Sequence, residues 1–467
     1  MGQFKVLIAG GSLVGLTLAL ALEHAGIEYE LFEKGDFAPQ LGASIGLHPH
    51  SLRILEQLGV WKDIEKEIVP LRHRLHFDGD GRCFEDSTVL KHIQEILGRP
   101  IIFMERCKAL EILHSHIKDK SKLHDRNAIT SYEETDEGVV ITTQDGLTHH
   151  GHILIGADGI HSRVRDLMAK EIGKTNVALS QDITEGAFTS EYKCIFAVSR
   201  NDPAKPFMAD ATVHNVYYDN HSAIAASGVP GLVFWFLFVK TPLTRTPNCP
   251  RFTEDDADAV IEEYRTVSPG PGYTVKDLWD ARVKGTLAPL EEGVLKQWSH
   301  NRVLLMGDAI HKVTINPGLG GNLAYEGIAR FTNGLVSLLT ETPTPSQSQL
   351  TELFARFDEG QRPRAEMVNN LSGQITRYEA QDTWFLKFAS RHLSPWVSDK
   401  LKAKAYAAFS KKGPCLEYLP LPEADLAKRM ATEDGEIQGM SLATILGGVT
   451  VATGLISVLW QTYRSNI

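Results

Sequence analysis

A glycine-rich turn near the N-terminus is the first group of residues whose types and spacing could do chemistry. Gly10, Ser12 and Gly15 follow an apolar run that begins at Phe4, and Glu33 lies 18 residues after Gly15. Glycines after a strand let the backbone approach a pyrophosphate at the N-terminus of the next helix, and an acid closing the second strand can accept hydrogen bonds from ribose hydroxyls. This pattern predicts a dinucleotide site. The acidic Glu33 favours an unphosphorylated ribose 2′-hydroxyl.

Two later motifs separate a flavin dinucleotide from a nicotinamide one. "GADGIHSRVR" at 156–165 places Asp158 after an apolar run, and "GDAIHKVTINPGLGGN" at 307–322 places Asp308 after another. Asp308 is positioned to hold a ribityl hydroxyl. Backbone N–H groups around Gly321, at a glycine-rich helix entry, are suited to stabilise negative charge on the pyrimidine side of a flavin ring.

The elements that must position these residues follow from hydrophobic patterning. Residues 4–33 read as strand, turn, helix and strand, which predicts a parallel βαβ unit. Segments at 152–159 and 302–309 predict two more buried strands. Alternating segments between 186 and 280 predict an antiparallel sheet inserted into the first domain. Residues 350–412 are mostly helical in pattern.

Five motifs in this order closely resemble the FAD-dependent aromatic hydroxylase superfamily with the para-hydroxybenzoate hydroxylase fold. They are "GGSLVGL" with Glu33, "GASIGLHP" at 42–49, Arg106 in "MERCKALEIL", and the two boxes just described. The resemblance implies an α/β fold in which a three-layer Rossmann-like FAD-binding domain carries an inserted, mostly antiparallel β-sheet substrate domain. It also implies FAD contacts at Glu33, Gly46, Arg106, Asp308 and Gly321, beside the turn residues Gly10, Ser12 and Gly15 and the GADG-box Asp158.

The expected domain organisation follows from the same resemblance and from the composition of the connecting segments. The FAD-binding domain is expected in three parts, the substrate domain in two parts, and a helical region with a linker after them. In chain order the ranges are 1–75 (FAD), 76–100 (substrate), 101–185 (FAD), 186–280 (substrate), 281–370 (FAD), 371–440 (helices and linker) and 441–461 (membrane anchor).

Within the superfamily, the sequence is most similar to the fungal monooxygenases that epoxidise prenyl chains in meroterpenoid and indole-diterpene biosynthesis. The similarity lies in the "GGS" turn, in residues 214–236 and in the apolar C-terminus. In this alignment Tyr217 matches the active-site tyrosine. The resemblance implies that NADPH or NADH reduces the flavin and that one atom of O2 reaches the farnesyl or geranylgeranyl chain of a lipophilic aromatic, polyketide or indole substrate.

Two other functions stay open at this point. The first is a flavin hydroxylase of the salicylate kind, which would oxidise an aromatic ring. The second is an FAD-binding scaffold without catalysis, which would require a damaged flavin site, whereas the motifs with Glu33, Arg106 and Asp308 are intact.

The C-terminus predicts a single membrane helix. Residues 442–460 carry no charge over 19 positions, and as a helix they would span about 28 Å, close to the thickness of a bilayer core. A buried helix is the alternative, because the segment also contains glycines and hydroxyl residues. Lys428 and Arg429 precede it and Arg464 follows it, which favours a cytosolic catalytic domain anchored to the endoplasmic reticulum.

Composition excludes other classes of function. The formal net charge of −10 argues against a nucleic-acid partner. The five cysteines have no metal-ligand or redox spacing and are expected to be free thiols. Histidines at 48 and 50, and at 149, 150 and 152, have no companion carboxylate or cysteine cluster nearby in the sequence, so no metal site is predicted.

Overall fold

The computed structural model describes residues 4–39, 44–423 and 425 of the 467-residue chain. The strands of this part are β1 (Lys5–Ala9), β2 (Glu28–Phe32), β3 (Ser44–Leu47), β4 (His73–Asp78), β5 (Cys83–Ser87), β6 (Ile102–Glu105), β7 (Leu123–His124), β8 (Ile129–Glu134), β9 (Val139–Thr143), β10 (Thr148–Gly151), β11 (Ile153–Gly156), β12 (Thr189–Arg200), β13 (Thr212–Tyr217), β14 (His221–Val229), β15 (Leu232–Arg245), β16 (Arg282–Val294), β17 (Ser299–His300), β18 (Val303–Leu305) and β19 (His311–Lys312).

Helices form the second set of elements. They are α1 (Leu13–His24), α2 (Pro49–Gln57), α3 (Trp61–Lys66), α4 (Val89–Leu97), α5 (Arg106–His116), α6 (Arg163–Gly173), α7 (Val177–Thr184), α8 (Glu254–Glu263), α9 (Val275–Asp280), α10 (Gly320–Glu341), α11 (Gln347–Glu379), α12 (Trp384–His392) and α13 (Asp399–Lys411), with short 3-10 turns at Lys120–Lys122, Gly307–Ala309 and Ser394–Trp396.

One sheet has six strands, in the order β17-β18-β11-β1-β2-β7. The neighbours β18, β11, β1 and β2 run parallel. Consecutive residues of β1 are fully buried, which requires cover on both faces of the sheet. The carboxyl ends of parallel strands meet at one edge of the sheet. This edge is where Gly10 follows β1, Glu33 follows β2, and Asp158 and Asp308 come shortly after β11 and β18.

Other elements cover this sheet. Helix α1 packs against α5 and α10, whereas α6 packs against β8, β11 and β18. The strands β8, β9 and β10 form a separate three-stranded antiparallel sheet, and β10 contacts β1. A further pair, β3 with β6, is antiparallel and places Gly46 opposite Phe103.

The largest sheet of the described residues has eight strands, in the order β19-β16-β12-β15-β14-β13-β4-β5. Its pairs are antiparallel except β4 with β13. Side chains alternate between two faces. We call one the inner face, defined by Arg74, His76, Val213, Asn215, Tyr217, Ile224, Phe196, Phe236 and Phe238. The opposite face packs on α8 and α9, where Trp235 meets Trp279.

The C-terminal helices close over the inner face. The 33-residue helix α11 begins with a capping box between Ser346 and Gln349 and ends at Glu379. Helix α13 packs against α4 and α2. Ala403 and Ala407 of α13 are buried in the same apolar cluster as Phe236, and the partly buried Tyr406 packs against it.

The predicted fold included a transmembrane helix, and this prediction is corrected. Within the described residues, no helix combines the length and the apolar character needed to cross a bilayer. The segment 441–461 itself lies outside the described residues. The membrane anchor, the membrane as a partner and the location at the endoplasmic reticulum have no support in the structure and are not carried further. What the structure supports is a mixed α/β fold.

Candidate functional site

The turn after β1 is built from close backbone packing. Gly10 adopts φ +101°, a conformation that L side chains rarely take, and a Cβ atom at Gly10 would lie 2.5 Å from the carbonyl oxygen of Ala157. A Cβ atom at Gly15 would overlap the carbonyl oxygen of Gly10. The turn therefore requires glycine at both positions, and it exposes backbone at the N-terminus of α1, where an anion is favoured.

Glu33 closes this turn at the end of β2. Its Oε2 accepts a hydrogen bond from the backbone N–H of Gly11 at 2.6 Å, and its Oε1 accepts one from the N–H of Gly35 at 3.0 Å. The N–H of Glu33 itself donates to the carbonyl oxygen of His124 in β7. The carboxylate is thus held beside the glycine turn by two neighbouring strands.

Arg106 reaches the same turn from a distant part of the chain. It begins α5, and its Nη2 donates to Oγ of Ser12 at 2.7 Å across 94 residues. Burial works to raise the pKa of Asp308, but the nearby charges of Lys312, His311 and Arg106 outweigh it and hold that pKa below its usual range. Lys312 also forms an ion pair with Asp308. Arg106 and Asp308 therefore lie within electrostatic reach of each other.

Asp158 has a structural task in its own turn. Its Oδ1 accepts a hydrogen bond from Ser162 at 2.5 Å, and its Oδ2 accepts one from the backbone N–H of Val164 at 3.1 Å. These bonds fix the start of α6. Burial raises the pKa of Asp158 despite them. The Cα of Asp158 lies close to Gly10, so the GADG box forms one wall of the glycine turn.

A buried asparagine joins the remaining two cofactor candidates. The side chain of Asn322 donates from Nδ2 to the carbonyl oxygens of Gly46 at 2.9 Å and Gly318 at 2.6 Å, and its Oδ1 accepts from the N–H of His48 at 2.9 Å. A Cβ atom at Gly321 would lie 3.2 Å from Ile45. The role of the Asn322 side chain could not be predicted, because a side-chain bond across 276 residues leaves no local signal in the sequence.

The structure thus brings the predicted cofactor residues to one connected region, which we call the dinucleotide cradle. Its members are Gly10, Ser12, Gly15, Glu33, Gly46, Arg106, Asp158, Asp308 and Gly321. The arrangement fits a dinucleotide, since close glycine backbone, a carboxylate at a strand end and an arginine all meet at the carboxyl edge of the parallel sheet.

Tyr217 lies apart from the cradle, at the end of β13. Its hydroxyl is 3.0 Å from Nδ1 of His76, and its ring packs edge-on against Phe84 and Tyr378. Burial raises the pKa of Tyr217 well above its usual value and lowers that of His76 well below its own. The pair is therefore neutral near pH 7. Within the described residues no hydrogen bond or ring contact joins Tyr217 to the cradle.

A buried carboxylate beside Tyr217 was missed by sequence analysis. Oε1 of Glu379 accepts from Asn215 at 2.9 Å and pairs with Arg74 at 3.4 Å, and its Oε2 accepts from Asn316 at 2.6 Å. Burial raises the pKa of Glu379. Asn316 belongs to the 307–322 box, so Glu379 connects that loop to the inner face. These partners are 63 to 305 residues apart in the chain, and their spacing carries no motif.

The comparisons with known sequences agree with this geometry. A family model described as an FAD-binding domain matches residues 3–351. The FAD-dependent monooxygenase ptmM of Penicillium ochrochloron is 37% identical over 400 residues, covering 85% of this chain and 94% of the relative. The FAD-dependent monooxygenase penM of Penicillium crustosum is 36% identical over 423 residues, covering 90% and 88%.

Solved structures agree on the fold. Klebsiella pneumoniae HpxO, complexed with FAD and uric acid, superposes with a TM-score of 0.71 at 18% sequence identity, over 88% of this chain and 97% of that one. FqzB superposes with a TM-score of 0.65 at 19% identity, over 93% and 95%. The motifs, the cradle and these relatives lead to one conclusion: the chain belongs to the FAD-dependent monooxygenases built on this FAD-binding domain.

Proposed function

We propose that this monooxygenase epoxidises the prenyl chain, farnesyl or geranylgeranyl, of a lipophilic aromatic, polyketide or indole intermediate in secondary metabolism. NADPH or NADH supplies two electrons and O2 supplies the oxygen. One oxygen atom bridges the alkene carbons, and the other leaves as water with the hydride of the nicotinamide and one proton from solvent, so the reaction balances. The resemblance to prenyl-chain epoxidases and the character of the inner face support this proposal.

The cradle residues are assigned to FAD by their placement. Glu33 is assigned to the ribose hydroxyls, the turn from Gly10 to Gly15 to the pyrophosphate, and Asp308 to the ribityl chain, while Arg106 balances the phosphate charge. The backbone around Gly321, at the start of α10, is assigned to the pyrimidine side of the flavin ring. Bound FAD would supply the redox chemistry that activates O2.

The observation that carries the proposal is the group of aromatic side chains in one part of the inner face, which reaches the cradle through Phe103, the β6 residue opposite Gly46. Phe236 makes ring contacts with Phe103 and with Phe196, with centroids 6.1 and 5.9 Å apart. Ile315, from the 307–322 box, packs against the same cluster. These side chains pack against one another and against Ala403 and Ala407 of α13, and apolar side chains of this kind are suited to contact an isoprenoid chain, whose burial from water is favourable in proportion to its area.

The charges on the inner face argue in the same direction. An aromatic acid of the salicylate kind needs a cation for its carboxylate. Arg74 lies on the strand next to Tyr217 but is already paired with Glu379 and bonded to Asn215. A neutral alkene needs no such partner. Tyr217, with its hydroxyl held by His76, is assigned to orient the substrate or to donate a proton during oxygen transfer.

The test is oxygen-18 tracing with the purified, FAD-loaded full chain. It would receive NADPH, labelled O2, and a farnesylated phenolic acid beside its unprenylated parent, with products read by mass spectrometry. A parallel reaction in labelled water with ordinary O2 identifies the oxygen source. The Asp308→Ala variant serves as the flavin-deficient blank, since we expect it to lose flavin on purification.

The position of the label decides between the functions. One labelled oxygen on the farnesyl chain, absent from the labelled-water control, supports the epoxidase. Label on the ring of either compound would make the chain an aromatic-ring hydroxylase and would reject the epoxidase proposal. A full flavin spectrum in Asp308→Ala would reject the assignment of that carboxylate to FAD.

A further inference from the structure

Three strands bring two histidines and a glutamate together, away from the dinucleotide cradle's glycine turn. Glu30 lies on β2, His124 on β7 and His149 on β10. Oε2 of Glu30 is 2.7 Å from Nδ1 of His149 and 3.6 Å from Nε2 of His124. One ligand atom from each residue lies within 4.8 Å of the others. We call these residues the Glu–His cluster.

The cluster has nitrogen atoms that the protein does not use. Nε2 of His124 and Nε2 of His149 are both buried and make no hydrogen bond within the described part of the chain. The 3.6 Å from His124 to Glu30 exceeds hydrogen-bond range. A buried polar atom left unpaired costs free energy, so Nε2 of His124, which lies 3.6 Å from Glu30, calls for a further partner; His149 would bind through Nδ1, the nitrogen now bonded to Glu30.

The two rings are held in place by an aromatic neighbour. Phe32 stacks on His124, with centroids 4.6 Å apart and the planes 8° from parallel, and it meets His149 edge-on at 4.7 Å. Phe32 is fully buried. Imidazoles that are already oriented lose less freedom on binding a ligand, so the cluster is prepared for one.

We propose that Glu30, His124 and His149 form a binding site for a zinc ion. Two imidazole nitrogens and a carboxylate oxygen are the ligands Zn²⁺ prefers, with water completing a tetrahedron. Ligand atoms about 2.0–2.1 Å from zinc lie roughly 3.3 Å apart around a tetrahedron. The 3.6 Å between Nε2 of His124 and Oε2 of Glu30 is near this spacing. Coordination would replace the hydrogen bond between His149 and Glu30, and the distance between Nδ1 of His149 and Oε2 of Glu30 would then increase from 2.7 Å.

The site lies on β2, which is followed directly by Glu33, the carboxylate assigned above to the ribose of FAD. Glu30 and Glu33 are three residues apart around the end of β2, and the N–H of Glu33 donates to the carbonyl oxygen of His124 at 2.9 Å. An ion joining β2, β7 and β10 would restrain this strand end. We therefore expect zinc to slow the release of FAD.

Lys5 is the competitor in the cluster. Its Nζ lies 2.5 Å from Oε1 of Glu30, and the side chain is 28% exposed. Its positive charge opposes a dication at short range. Replacing it by a neutral residue removes this opposition and leaves all three ligands in place, so Lys5→Met should bind zinc more tightly than the unmodified chain.

The experiment titrates ZnCl2 into the chelator-stripped, FAD-loaded full chain in competition with a chromogenic chelator. The variants are Glu30→Gln, His124→Ala, His149→Ala and Lys5→Met. The matched control is His150→Ala, the exposed neighbour of His149 on the opposite side of β10. Circular dichroism and flavin content establish that each variant is folded. The rate of FAD release is measured with and without zinc.

We expect one equivalent of zinc, an affinity lowered about tenfold or more by each ligand variant, and an affinity raised by Lys5→Met. His150→Ala should match the unmodified chain. The site would be overturned if the unmodified chain, His124→Ala and His149→Ala bound zinc with equal affinity. It would also be overturned if Lys5→Met bound zinc no more tightly than the unmodified chain. If zinc binds as expected but FAD release is unchanged, the coupling to Glu33 is overturned.

Discussion

The dinucleotide cradle and the inner face of the eight-stranded sheet are built by opposite means. The centre of the cradle is a glycine turn packed where parallel strands end, so Gly10 and Gly15 contribute by having no side chain. The inner face consists of side chains, such as Glu379 and Tyr217, whose partners come from remote segments. The glycine turn is therefore specified by residues close together in the chain, whereas Arg106 in the cradle and the side chains of the inner face depend on tertiary contacts.

The largest expected effect is on the cradle. Gly15→Ala places a Cβ atom into the carbonyl oxygen of Gly10, and a backbone atom cannot move aside as a side chain can. We expect the variant to keep less than about a tenth of its flavin, which absorbance of the purified protein measures, because overpacking by one methyl can cost 1–3 kcal/mol or more.

The control for this prediction is a glycine without that constraint. Gly360 lies inside α11, and its nearest neighbour for an added Cβ is an Arg330 side-chain atom at 3.6 Å. Gly360→Ala should keep its flavin and gain about 1 kcal/mol of stability from helix propensity. If both variants keep flavin equally, the glycine turn is not the determinant of cofactor binding.

The same contrast explains what could be predicted from the sequence. The residues of the glycine turn and Glu33 are recognisable because strand, turn and acid are close in the chain. Arg106 was recognised through family resemblance, not through its bond to Ser12. Glu379 gave no signal, because its partners are reached only after folding.

Two other expectations show where local patterns are insufficient. The apolar stretch at 441–461 predicted a membrane helix, yet no helix of the described residues can cross a bilayer. The stretch itself lies outside the described residues. His149 was interpreted as having no companion carboxylate, whereas the packing of the three-stranded sheet against the six-stranded sheet brings Glu30 to 2.7 Å from it. That carboxylate is 119 residues away in the chain.

The second prediction tests the inner face through Glu379→Gln. The amide would turn an N–H group toward the donating Asn215 or Asn316 and would leave the charge of Arg74 unpaired. We expect a loss of about 2 kcal/mol in the free energy of unfolding, measured in urea, because the amide leaves a buried N–H group of Asn215 or Asn316 without an acceptor. Flavin binding should survive in the folded variant.

Glu352→Gln is the matched control on the same helix. Glu352 forms an exposed pair with Arg356, and such pairs contribute little to stability. We expect its free energy of unfolding to stay within about 0.5 kcal/mol of the unmodified chain. Equal stability of the two variants would mean that the Glu379 network does not hold the inner face to the 307–322 box.

The third prediction concerns the loss of stability at low pH that is expected from the buried histidines His48 and His50. Burial, aided by nearby positive groups, lowers the pKa of both His48 and His50 to about 3. Between pH 6.5 and 3 the unfolded chain therefore binds more protons than the folded one, so stability falls as pH falls. At pH 5 each histidine should cost about 2 kcal/mol relative to pH 7 or above.

Urea unfolding at pH 7 and pH 5 measures this effect. His50 faces Glu326 at 3.5 Å and the charges of Arg364 and Arg53. Since Glu326 is already paired with Arg364, a protonated His50 gains little from it. His50→Gln should reduce the pH dependence, whereas the exposed His150→Gln should not. A pH dependence that is unchanged in His50→Gln would assign the acid sensitivity to other groups.

The smallest expected effect is on Tyr217, and it separates the two regions most cleanly. Tyr217→Phe removes only the hydroxyl bonded to His76, so flavin content should be normal while product formation slows about tenfold, as expected for loss of one general acid or orienting bond. The adjacent Tyr218 bonds to Ser268 instead, which makes Tyr218→Phe the matched control. Equal turnover in both variants would assign Tyr217 to packing. Slower turnover in Tyr217→Phe alone, with full flavin, would mean that the inner face contributes to the reaction and not to cofactor retention, because the cradle is then unaltered.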